Sequence, residues 1–73
     1  MEHVPRVPKP SRVILARVRA ELGPSVSEAG VDAWLRSRSA YLGRRPPIVV
    51  LGEPGGLEAV LGAARAYANG DPT

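Results

Sequence analysis

This 73-residue chain predicts an all-α fold, a small bundle of three to four short helices behind a proline-rich N-terminal arm. Three observations carry that expectation. Three stretches repeat apolar side chains at the helical period, the only β-branched run has no second run to pair with, and the length leaves room for one core. A domain of this size buries only about 60% of the surface its unfolded chain exposes. Large core side chains are also few, since Trp34, Tyr41 and Tyr67 are the only aromatics. A partner protein or a homo-oligomer is therefore expected to add stability.

Residues 1–10 hold Pro5, Pro8 and Pro10. Each lacks a donor and biases its predecessor toward extended backbone, so no helix runs through them and they read as a flexible, polyproline-like arm. Residues 11–73 form the single helical domain. Ser11 stands where an N-cap is needed, and Ile14, Val18 and Leu22 follow at i, i+4 and i+8, with Leu15 in the adjoining slot. Gly23-Pro24 stops this first helix.

A second helix is expected from Ser25 and Glu28, which have the spacing of a capping box. Val31, Trp34, Leu35 and the stem of Arg38 fall on its apolar face, while Gly30 weakens it by about 1 kcal/mol relative to Ala. Ser37-Arg38-Ser39 is a break, after which come Tyr41 and Leu42 and then Gly43-Arg44-Arg45-Pro46-Pro47. Residues 48–51, Ile-Val-Val-Leu, are β-branched, but a lone strand leaves its backbone groups unpaired, so a short helix opened by Pro47 at N1 is favoured. Beyond the turn cluster of Gly52, Gly55 and Gly56, the residues Leu57, Val60, Leu61, Ala64, Tyr67 and Ala68 mark the last helix. Gly70 suits the left-handed position after its end.

The composition removes several function classes. No cysteine means no disulfide framework and no thiolate metal site, and one His among scattered acids lacks ligand spacing, so neither a metal nor another cofactor is expected. The longest apolar runs are four residues, far short of a membrane span or a signal-peptide core, which reads as a soluble cytoplasmic protein without membrane contact. Catalysis is not expected either. A nucleophile needs a base within reach, and the only imidazole, His3, lies in the arm. Glu28 and Asp32 read as a solvated helix face rather than a carboxylate dyad. The glycines at 52, 55 and 56 match no phosphate-binding pattern, and Glu53 and Glu58 beside them would repel an anion.

The net charge of +3 lies unevenly, because every basic residue except Arg65 precedes residue 53. Arg36, Arg38, Arg44 and Arg45, with Tyr41 among them, are candidate nucleic-acid contacts, since guanidinium forks suit phosphate. A solvated basic face is the plainer reading, and no recognition helix accompanies them. Trp34 shares a face with Val31 and Leu35 and reads as core.

Residues 25–70 resemble the toxin-binding domain of the MbcA/ParS/Xre antitoxins. The likeness rests on Val31-Asp32-Ala33-Trp34-Leu35, on Tyr41-Leu42-Gly43-Arg44-Arg45-Pro46, on the apolar run 48–51, on Gly55-Gly56, and on a final amphipathic helix ending near Gly70. The resemblance implies an all-helical fold and a bacterial type II toxin–antitoxin system. It also implies a partner of the RES-domain class that degrades NAD, with the antitoxin itself not an enzyme. Many members carry a helix-turn-helix domain ahead of this region, whereas residues 1–24 hold one helix and an arm, so operator binding is unsupported.

Under the resemblance Trp34, Leu35, Leu42, Gly43, Pro46, Leu57, Val60 and Leu61 are structural. Arg65, Tyr67, Asn69 and Asp71 are the residues expected to face the toxin. The family covers the toxin's NAD pocket with its C-terminal end, and here only Asp71-Pro72-Thr73 follow Gly70. The rival readings from the residues alone are a small basic nucleic-acid-binding module and a non-enzymatic helical adaptor domain.

Overall fold

The computed structural model describes residues 10–71, which form four α-helices and one 3-10 turn, with no strand among the described residues. The predicted arm, apart from Pro10, and the last two residues lie outside them. Helix α1 spans Arg12–Leu22 and α2 spans Glu28–Arg36; after the 3-10 turn Ala40–Leu42 come α3, Pro47–Val50, and α4, Gly56–Ala68. The all-α fold is as the sequence predicts. None of these helices is long and apolar enough to cross a membrane.

Local chemistry accounts for most boundaries. The Ile14 N–H donates to Ser11 Oγ at 3.2 Å, which caps α1, and its C-terminal end closes with the Gly23 N–H on the Arg19 carbonyl at 3.0 Å. Pro47 opens α3 at its first turn, so residues 48–51 are helical and then αR rather than extended. At the end of α4 the Asp71 N–H reaches the Ala66 carbonyl and the Gly70 N–H reaches that of Tyr67, with Gly70 at φ 79°. That is a Schellman motif on the glycine the sequence nominates.

The start of α2 departs from expectation. Its cap is Ser27, whose Oγ accepts from the Gly30 N–H at 3.0 Å, and not Ser25. The reason lies in Val26, which precedes this cap and packs against the core cluster that contains Val31. An apolar residue before the cap closing toward the fourth helical residue fixes where the helix begins. Gly30 then has a use beyond its propensity cost, since a Cβ there would meet Val26 Cγ1 at 3.0 Å.

Helix α4 is the axis of the core. Val60, Leu61, Ala63 and Ala64 are buried on it against α1, α3 and the 3-10 turn, with Val18 and Leu22 from α1 and Leu42 and Val50 from the elements between. Val31, Trp34 and Leu35 of α2 join the same cluster. Ala63 lies off the predicted stripe because α4 is covered on more than one side. Tyr67 and Ala68, predicted on the stripe, are exposed, because the helix runs on past the core.

Among the described glycines, the backbone is approached most tightly at Gly56. A Cβ there would sit 1.7 Å from the Val50 carbonyl oxygen, so the start of α4 lies against the backbone at the end of α3. Among the residues expected to be structural, Trp34, Leu35, Leu42, Val60 and Leu61 are buried and Leu57 and Pro46 are half-buried. Gly43 is the exception. It is exposed, and what it supplies is a left-handed turn at φ 70°, continued by Arg44 at φ 66°.

Candidate functional site

The four residues expected at the toxin-facing edge all lie at the C-terminal end of α4, and all are exposed. Two of them are already engaged. Arg65 donates from Nε and Nη2 to the two carboxylate oxygens of Glu21 at 3.3 and 3.4 Å, a fork that ties α4 to the end of α1. This hydrogen bond, and then the charge of Glu21, hold the Arg65 guanidinium's pKa above the ordinary arginine value. The ring of Tyr67 meets Trp34 edge-on, with centroids 6.3 Å apart at 61°, and so covers the α2 anchor from outside.

Two residues along a helix are about 200° apart at 3.6 residues per turn. Arg65 and Tyr67 therefore stand on opposite flanks of α4, one toward α1 and the other toward α2. Along the helix they do not share one side. Asn69 and Asp71 differ from them. Their backbone N–H groups close the helix, and neither side chain makes a hydrogen bond or ion pair among the described residues.

The arginine cluster is likewise divided. Arg36 pairs with Asp32 four residues back, its Nε 3.1 Å from Oδ2. Arg45 donates to the Leu42 carbonyl at 3.2 Å and pairs with Glu53, which pins the turn before α3 to the link after it. Arg38 and Arg44 have no such partner among the described residues and are exposed. Two of the four are thus paired with carboxylates, and two have no such partner among the described residues.

Glu28 and Asp32, weighed above as a carboxylate pair, are exposed and each faces an arginine, with Glu28 3.9 Å from Arg19 Nη1. The glycine link offers no free cradle at its end either, since the Gly56 N–H donates to the Glu53 carbonyl at 2.9 Å. Among the described residues no three His, Cys, Asp or Glu side chains gather to hold a metal ion. His3 lies outside those residues.

One feature the sequence reading missed is a groove of about 650 Å³ between α1 and α2. Its floor is Leu15, Ala16, Val31 and Leu35; Arg12 and Arg19 rise on the α1 side, Glu28 and Asp32 on the α2 side. The signal was present in α1. Arg12, Leu15, Ala16 and Arg19 fall at i, i+3, i+4 and i+7, a second amphipathic face beside the one that carries Val18 and Leu22. No family model matches the chain, and neither a curated protein nor a solved structure matches it.

Proposed function

We propose that the chain is an antitoxin of a type II toxin–antitoxin system, a non-enzymatic protein that binds and neutralises a RES-domain toxin that degrades NAD. The observation that carries this reading is the order of local devices from α2 to the end of α4. A buried Trp34-Leu35 pair is followed by the left-handed turn at Gly43, a short helix opened by Pro47, a glycine that permits close packing at 56, and a last helix closed by Gly70. These are the pieces on which the resemblance rests, and each has a structural use here.

Asn69 and Asp71 are the toxin-facing residues in this reading, because their side chains are uncommitted at the end of α4 that the family presents to its toxin. Arg65 and Tyr67 flank them and set the position of that end. The test is co-expression with a RES-domain toxin encoded beside this chain, reading cellular NAD. The wild-type chain is expected to preserve NAD and to co-purify with the toxin. Asn69→Arg combined with Asp71→Arg is expected to release NAD loss while the circular dichroism of the free domain stays unchanged, since rim charges act at the contact. Neutralisation undiminished in that variant removes this edge as the inhibitory surface. A wild-type chain that binds no such toxin removes the antitoxin reading, and a sequence-selective nucleic-acid complex at physiological salt would replace it.

A further inference from the structure

Two residues around the turn before α3 are poor choices for the fold. Arg44 stands in the left-handed region at φ 66°, where glycine would be free of strain, and its exposed side chain has no hydrogen-bond or ion-pair partner among the described residues. Gly62 lies in the middle of α4, where glycine is the poorest helix former after proline. What Gly62 admits is Tyr41. A Cβ at residue 62 would meet the Tyr41 hydroxyl oxygen at 3.1 Å and its ring Cε1 at 3.5 Å, so the phenol lies across the backbone of α4. Even so, 56% of Tyr41 is exposed.

We propose that residues 39–45 are the second half of the toxin-binding surface, with Tyr41 as its aromatic anchor and Arg44 as its charge. The proposal rests on the antitoxin reading and extends the contact beyond Asn69 and Asp71. The loop is built to present those two side chains. Its ends are joined by the Ser39 N–H on the Arg45 carbonyl at 3.2 Å, and the Ser39 carbonyl accepts from the Leu42 and Arg44 N–H groups at 3.1 and 2.7 Å. A ring seated on a helix backbone loses little further freedom when a partner covers it. Tyrosine and arginine are also the residue types that dominate binding energies at interfaces.

Position on α4 selects the occupant. A stable interface covers about 800 Å² on each partner, more than Asn69 and Asp71 alone can supply. Gly62 and Asn69 are seven residues apart, which on a helix is two turns, about 10 Å of rise and nearly the same face. A partner seated on Asn69 and extending along that face therefore reaches Tyr41. The opposite flank offers less, because Tyr67 is already spent on Trp34. The toxin surface that fits is an apolar pocket for the phenol beside a carboxylate for the guanidinium.

The test is calorimetric titration of the full-length chain with the RES-domain toxin encoded beside it. Tyr41→Ala, which removes a largely exposed ring, should leave the circular dichroism of the free domain unchanged and weaken binding about tenfold or more. Arg44→Gly should weaken binding while the urea midpoint of the free domain does not fall, since glycine relieves the left-handed strain. Lower affinity without lower stability is a result that a merely structural role for the loop does not give. If Tyr41→Ala unfolds, Arg44→Gly decides. Undiminished affinity in either folded variant overturns the proposal and leaves the antitoxin reading standing, whereas a wild-type chain that binds no such toxin removes both.

Discussion

The two ends of α4 are held by different means. Its N-terminal end lies backbone to backbone against α3, where the Val50 carbonyl occupies the space a Cβ on Gly56 would need. Its C-terminal end is held by side chains, Arg65 reaching Glu21 on α1 and Tyr67 leaning on Trp34 of α2. Backbone cannot move aside without shifting a whole helix, whereas long exposed side chains rearrange at small cost. The first end thus specifies one residue, and the second tolerates change.

Substitutions at Trp34, Tyr67, Gly56, Arg65 and Glu21 test that contrast. The largest effect is expected at Trp34, whose anchor lies beneath the tolerant end: Trp34→Ala should cost about 4 kcal/mol in urea denaturation followed by far-UV circular dichroism. Tyr67→Ala, which removes only the half-exposed cover, should cost about 1 kcal/mol in the same assay. Equal losses for the two would mean that the cover is as structural as the anchor and that the C-terminal end is not tolerant.

Next comes Gly56→Ala, expected to lower stability by about 3 kcal/mol although it adds a single methyl to a helix start. Elsewhere in a helix this exchange stabilises by up to about 1 kcal/mol. An unchanged denaturation midpoint would show that α3 and α4 separate freely, and the contrast between the ends would vanish.

The smallest effect belongs to Arg65. Arg65→Glu should lower the midpoint slightly by setting two carboxylates against each other, and adding Glu21→Arg should restore it. Salt near 1 M, where the screening length is about 3 Å, should erase the difference between the single and double variants. The Glu21 fork raises the guanidinium pKa, so the Arg65 cation persists across the accessible pH range. Failure of the second substitution to restore the midpoint would show that the Glu21 fork does not hold this end.

Much of this architecture was legible in residues that act within one turn of themselves. Ser11, Pro47 and Gly70 each occupy the position their local chemistry demands, and the stripes of α1, α2 and α4 place the core on the correct faces. Ser25 was the instructive error. Both Ser25 and Ser27 are good caps by residue type, and the choice between them fell to Val26, whose burial depends on an α2 already docked. The candidate edge was legible as a location and not as a surface. The Asn69 and Asp71 side chains are uncommitted among the described residues, while the commitments of Arg65 and Tyr67 arise from residues remote in sequence.

The sequence by itself determined the all-α class, the α-helices with most of their boundaries and the identity of the main anchors, but not the 3-10 turn Ala40–Leu42. Helical period, capping and proline geometry depend on neighbours within about four residues. The tertiary structure alone decided which arginines are spent on carboxylates, why residue 56 must be glycine, and that α1 and α2 leave a groove with opposite charges on its two sides. Those outcomes depend on where whole helices come to rest. Glu21 and Arg65 are 44 residues apart and meet only because α1 and α4 pack along the same core, a fact that no local window of sequence contains.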